Sequence, residues 1–368
     1  MAGEYSRDFT SYFNQVKTKF NVVGGTDYSS KRIPTDVSSE FTINDLMGSW
    51  AERLVYRTIK DHADNIVPIM YGRSDQLIAG QEGFADLWKE HMTELDTIGK
   101  RPDVLIYKSE DAQSLFADMT NIAKEQSLWK NVNQAVAGLE VRSSKQNLTI
   151  NEEYKDKKIG EHYESLKALI KVVVAGIKAE NLQMDKIDVM LDWLEKIDKD
   201  DFPSTIPRKV TISRSIQDND LINSYNQIFV HLKKISSILA SYRSFTVKVE
   251  DLEITNKWVS KYNVPHYYIQ VFDDRVYAIS TLEIFKVILD DGLKNTHWKL
   301  EKNPKNQMKS TFYVNLDRGV LIGQLSKQAE IVPVKIYLDN GRVIYATDFK
   351  NGELELDYRK FTECIQYP

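Results

Sequence analysis

Two short apolar runs constrain this chain more than any other feature: Arg101-Pro102-Asp103-Val104-Leu105-Ile106-Tyr107 and Gly138-Leu139-Glu140-Val141-Arg142-Ser143-Ser144-Lys145. Each has the branched apolar composition of a buried strand, and each carries an acid where burial is costly. Alternation puts Glu140 and Arg142 on one face of the second strand, with Leu139 and Val141 on the other. If the two strands pair, Asp103 at the mouth of the first comes near Glu140 on the second. Two carboxylates in one pocket repel unless a cation lies between them. Carboxylate oxygens without Cys or His in the cluster favour a hard ion such as Mg2+, and such a site suits metal-assisted hydrolysis of a phosphodiester.

The surrounding text supplies a scaffold. Tyr5 to Phe20 reads as a short helix followed by a loop around Gly24-Gly25 and Pro34. From Thr42 the pattern is helical, with Leu46, Trp50 and Leu54 at fourfold spacing, and Glu52 rides on this helix. Another helix over 83–98 is stopped by Gly99, the strand Val104 to Tyr107 follows, and a helical pattern from Ser109 to about Ala135 leads to the strand Gly138 to Ser143. Beyond Lys145 the texture changes. Thr149-Ile150-Asn151-Glu152 has the form of a capping box before helical stripes that run to Asp198, and Leu221, Tyr225, Ile228, Leu232, Ile235 and Leu239 mark another amphipathic helix. After strands at Tyr267 to Phe272 and Val276 to Ser280 and a helix at Thr281 to Leu289, the C-terminal part is strand-like. It includes a hairpin from Val334 to Thr347 with the type I′ signal Asp339-Asn340-Gly341.

Composition narrows the classes. With 368 residues and 42% hydrophobic content the chain can close a sizeable core. No apolar run is long enough to span a bilayer, and Met-Ala-Gly-Glu-Tyr-Ser-Arg-Asp has no signal core, so a soluble cytoplasmic protein without membrane partners is expected. The single cysteine, Cys364, can form no internal disulfide. A net charge of −4 leaves nucleic-acid binding to local basic surfaces, and three clusters qualify: Lys155, Lys157 and Lys158; Arg208, Lys209 and Arg214; and Lys299, Lys302, Lys305 and Lys309. Each also fits a solvated face. Ser143 and Ser144, at a strand end, suit bonds to backbone or to DNA phosphate. The six histidines lack ligand spacing, and His266 reads as a core histidine. There is no P-loop, CxxC pair or HExxH.

Pro102-Asp103 followed by Glu140-Val141-Arg142 resembles the PD-(D/E)xK nuclease pattern, with Arg where the pattern usually has Lys. With the segments Phe245 to Leu252 and Val264 to Ser280, the chain resembles the AccI family of type II restriction endonucleases. The resemblance is carried by 45–60, 100–147 and 245–290. It implies an α/β fold with a PD-(D/E)xK restriction-endonuclease-like core, a central mixed sheet flanked by helices, built discontinuously from 1–147 and 245–368. A mainly helical insertion, 148–244, would serve DNA binding or dimerisation, and the C-terminal part would be β-rich. It also implies Mg2+-dependent, sequence-specific cleavage of double-stranded DNA by a homodimer at a short palindrome. Asp103 and Glu140 would be the metal ligands, Glu52 would help hold metal or water, and Arg142, or Lys145 in its stead, would fill the lysine position. A nuclease-like scaffold that binds DNA without cutting it is the alternative, and a helical adaptor built on the stripes at 161–197 and 219–242 is a third reading.

Overall fold

Branched apolar runs at the centre of the chain form strands because their alternate side chains find apolar layers on both sides. The computed structural model describes residues 4–21, 28, 31–62, 64–72, 77–112, 128–180, 185–203, 205–212, 216–304 and 309–366. The main sheet runs, edge to edge, β1 (Ile66–Met70), β2 (Val104–Lys108), β3 (Ala137–Ser143), β5 (His266–Val271), β6 (Arg275–Ser280), β9 (Val320–Lys327) and β12 (Glu353–Leu356). All neighbours are antiparallel except β3 and β5, which run parallel with Glu140 opposite Tyr268. A second sheet joins β4 (Ser244–Lys248), β8 (Thr311–Asn315) and β7 (Trp298–Glu301), and β10 (Glu330–Tyr337) pairs with β11 (Val343–Lys350) as a hairpin.

Alternation divides the core into two layers. Val104, Ile106, Leu139, Val141 and Ile269 pack with Trp50, Ala51, Leu54 and Val55 of α2 (Ser39–His62). Leu105, Tyr107 and Tyr268 pack with α1 (Glu4–Phe20), α8 (Val249–Tyr262) and α9 (Thr281–Leu289). Burying such a side chain stabilises by roughly 1.5–3 kcal/mol, so the two layers fix which way β3 faces. Glu140 and Arg142 therefore point into the α8 layer.

By contact density the chain divides into two compact units, Met1–Leu148 with Arg243–Pro368, and Thr149–Tyr242. The second is helical, with most of α5 (Leu148–Ala179), α6 (Asp185–Glu195) and α7 (Asn219–Leu239). Leu166, Val173, Leu194, Ile228, Leu232 and Ile235 form its core. The α7 stripe is buried from Leu221 to Ile235 as its sequence predicts, but Leu239, the last residue of the helix, is exposed; Asp218 caps the helix by accepting from the Asp220 and Leu221 amides.

Local details depart from the sequence reading. The helix expected after a capping box at Thr149 starts at Leu148, whose amide donates to Asp274 Oδ1 at 2.7 Å, so Thr149 lies inside its first turn. The Asp339-Asn340-Gly341 turn is not type I′: only Gly341 has positive φ (81°), and its amide donates to the Leu338 carbonyl. Of the helical pattern expected from Ser109 to Ala135, the described parts are α4 (Ser109–Ala112) and a 3-10 helix, Leu128–Gln134, and 113–127 lie outside the described residues.

Candidate active site

The segment that delivers Asp103 is fixed along its length. Helix α3 (Phe84–Thr97) gives way to Gly99, whose φ of 84° favours glycine, and a Cβ there would run into the Ile254 carbonyl of α8. That close approach lets the Lys100 amide donate to Ile254 O at 3.0 Å. Arg101 forks onto Glu94, with Nε 2.6 Å from Oε1 and Nη2 3.0 Å from Oε2, and donates to the Tyr71 carbonyl. Pro102 lies over Gly138, where a Cβ would come within 2.8 Å of its Cγ. The Asp103 amide then donates to Leu139 O at 2.9 Å, and Asp103 Oδ2 accepts from the Val141 amide at 2.6 Å. Gly138, Pro102 and the ladder between β2 and β3 thus bring the two acidic positions onto adjacent strands.

Four charges meet on the α8 side of β3. Lys100 Nζ stands 2.6 Å from Glu140 Oε1 and 3.0 Å from Asp251 Oδ2. Arg142 Nη2 stands 2.8 Å and 2.7 Å from the same two oxygens. Burial pushes the Glu140 carboxyl up, but the Lys100 and Arg142 cations win and hold it below the ordinary glutamate value. For Asp251 burial is likewise outweighed by Lys100 and Arg142, which bring it to about 2. Burial and the neighbouring Arg142 push Lys100 down, yet Asp251 and Glu140 together hold it above the usual lysine value. All four groups are therefore charged at neutral pH. Glu140 Oε2 is buried and has no hydrogen-bond partner, an expensive position for a carboxylate oxygen.

The acids outside this quartet behave in the opposite way. Burial, then Glu140 and Glu52, raise Asp103 well above the ordinary aspartate value. Burial, then Glu140 and Asp45, raise Glu52 on α2 to about 7. Mutual repulsion among Asp103, Glu140 and Glu52 is what a divalent cation would relieve, and the oxygen-only donor set with one unpartnered oxygen fits a hard ion. Among the described residues no three of His, Cys, Asp and Glu are already gathered closely enough to enclose a metal. His266 is buried behind Glu140, with Nδ1 2.7 Å from Thr281 Oγ1, and burial depresses its pKa to about 4, so it is neutral.

The remaining candidates lie apart from the quartet. Lys145 is exposed at a bend beyond the end of β3, while Ser143 closes the strand and Ser144 donates its amide to Val271 O. In the helical unit Lys155 bonds the Ser241 carbonyl, Lys158 pairs with Glu161 and Lys209 reaches Asn226. Lys157 and Arg208 are exposed, and Arg214 lies outside the described residues, as does Lys305. The sequence reading missed Lys100 and Asp251. A signal for Asp251 existed: it occupies the buried stripe of α8 with Leu252, Thr255, Trp258 and Tyr262, where an acid needs a cation. Lys100 had only its place three residues before Asp103.

A family model described as AccI restriction endonuclease matches residues 11–366. The chain belongs to the AccI restriction endonuclease family. The match extends well beyond the segments 45–60, 100–147 and 245–290 that carry the resemblance in sequence. No curated protein and no solved structure matches the chain. Membership of the AccI family implies a restriction nuclease, a hydrolase that acts on DNA. No helix among the described residues is long and apolar enough to cross a membrane.

Proposed function

We propose that this AccI-family chain is a type II restriction endonuclease with a PD-(D/E)xK core, cleaving double-stranded DNA at a short palindrome with Mg2+ held by Asp103 and Glu140. The observation that carries the reading is the pairing of β2 with β3, which seats the Asp103 carboxylate on the Val141 amide while Glu140 keeps Oε2 buried and unpartnered. The bound cation would supply polarisation of the scissile phosphate and a lower pKa for the attacking water. Arg142 keeps its proton, so it serves as a forked donor to phosphate and not as a base. Burial and the nearby Glu140 and Asp45 raise the Glu52 carboxyl to about 7, which supports a role for it in holding a water or moving a proton.

A palindromic target calls for two protomers about a twofold axis, each offering one site to one strand. Ser143, Ser144 and Lys145 would meet the backbone near the cut. Lys155, Lys157, Lys158, Arg208, Lys209 and Arg214 of the helical unit would extend the grip, since specific sites bury on the order of 1,000–2,500 Å² of protein surface. Digestion of a plasmid of known sequence with Mg2+, followed by end sequencing, tests activity and reads the target together. Fragments with one repeated terminal sequence are expected. Duplex binding without cleavage in any divalent ion would instead make the chain a nuclease-like DNA-binding protein.

A further inference from the structure

The PD-(D/E)xK pattern calls for a lysine two residues after Glu140, and this chain has Arg142 there. Lys145 does not replace it, being exposed beyond the end of β3. Lys100 does reach the site, from the segment that leads into β2. Its Nζ lies 2.6 Å from Glu140 Oε1, it precedes β2 where Asp103 also sits, and its backbone is fixed by the bond to Ile254 O that Gly99 permits. Asp251 holds it from the other side at 3.0 Å.

Charge balance alone does not account for this arrangement. One cation would neutralise Glu140, and a buried ion pair stabilises a fold little compared with apolar residues of the same volume. Here a second cation is brought in along with a second carboxylate, Asp251, to keep the group neutral. Both cations bind the same oxygen of Glu140, and Oε2 stays without a partner. Asp251 draws both toward its own Oδ2 and so keeps them off that free oxygen.

We infer that Lys100 is the catalytic lysine of this site, contacting the scissile phosphate and the attacking water, and that Asp251 is its positioning residue. This rests on the nuclease reading above. Lys100 keeps its proton throughout. The water oxygen bonds phosphorus as the P–O3′ bond breaks, the proton the water gives up passes to solvent, and the leaving O3′ takes one from solvent.

The test compares the intact protein with Lys100→Met, Lys100→Arg, Lys145→Met, Asp251→Asn, Asp251→Glu and the double variant Lys100→Met/Asp251→Asn. Plasmid cleavage in Mg2+, duplex binding in Ca2+ and thermal melting are measured on each. Lys100→Met should lower cleavage at least about 100-fold. Its duplex affinity should fall far less than its cleavage, by roughly the tenfold that one lost charge-assisted bond to phosphate costs. Lys100→Arg should restore part of the rate, and Lys145→Met, which would lose at most a backbone contact, should lower cleavage far less than Lys100→Met does. Asp251→Asn should lower kcat with KM unchanged, and Asp251→Glu should recover part of it. The double variant removes one charge of each sign, so its melting temperature should recover while its cleavage does not. Cleavage restored in the double variant would reduce Lys100 to a counterion, and near-normal cleavage by Lys100→Met would also overturn the inference while leaving the nuclease reading intact. An intact protein that cuts no DNA in any divalent ion would overturn both.

Discussion

Around Glu140 the first unit packs two partly exposed cations against two buried carboxylates, whereas the helical unit Thr149–Tyr242 closes an apolar core and leaves its charges in solvent. Lys196 and Asp192 show the second habit, paired one turn apart with side chains 71% and 65% exposed. Exposed pairs of this kind contribute under about 1 kcal/mol, while removing one partner of a buried pair costs about 3–5 kcal/mol. A domain stabilised by packing has no need of the first arrangement. Its presence on β3 coincides with the site proposed here for the chemistry.

The largest effect that would break this contrast is catalytic. Asp103→Asn and Glu140→Gln should each lower plasmid cleavage by at least about 100-fold with specific duplex binding retained, because losing either proposed metal ligand would remove catalysis and leave the groove interactions in place. Near-normal cleavage by either variant would move the site elsewhere. Next comes packing: Leu232→Ala, at a fully buried position of α7, should cost roughly 2–5 kcal/mol in chemical denaturation. A cost below about 1 kcal/mol would mean that the helical core is not what holds that unit together.

A smaller, pH-dependent effect separates Glu52 from the quartet. Its folded pKa of about 7 lies above the ordinary 4.5, so between those values the folded state binds the extra proton. Its contribution is therefore fully present below pH 4.5 and is lost as pH rises through 7. Without divalent ions, Glu52→Gln should flatten the fall in melting temperature over that window, and an unchanged slope would assign the titration to another group. The smallest effect on the fold belongs to the surface. Reversing the charges of Arg208 and Lys209 should change stability by less than about 0.5 kcal/mol. The same change should weaken duplex binding and reduce its dependence on salt, by roughly 0.9 in log–log slope for each DNA phosphate that the variant no longer neutralises. An unchanged salt slope would remove this pair from the DNA interface and leave 299–309 as the next basic segment to examine.

What the sequence discloses follows from where periodicity is clean. β2 is an uninterrupted apolar run, β3 alternates apolar with charged residues, α7 has a regular stripe, and α9 spans Thr281–Leu289 as its pattern predicts. Edge strand β1 escapes because Pro68 interrupts it, a residue that only an edge tolerates. Helix α8 escapes because it follows β4 at once, Lys248 gives it no side-chain cap, and its buried stripe includes Asp251 and Thr255. Asp103, Glu140 and Arg142 are legible from strand alternation alone. Lys100 and Asp251 are not, because their meeting depends on α8 lying against Gly99, a long-range approach that no local spacing encodes.

The parallel pairing of β3 with β5 has a consequence for how the protein comes into being. Gln270 Nε2 donates to the carbonyl of Arg142, 128 residues earlier in the chain. During synthesis from the N-terminus, β3 emerges long before its neighbour, and the helical segment, rich in short-range contacts, can form in the interval. Asp251 also lies beyond that segment. A ribosome-bound fragment ending before residue 251 therefore carries Asp103 and Glu140 but neither the strand that flanks Glu140 nor the carboxylate that restrains Lys100 and Arg142. With the site proposed here, cutting activity waits until translation is well past its midpoint, and a chain that ends before residue 251 lacks it.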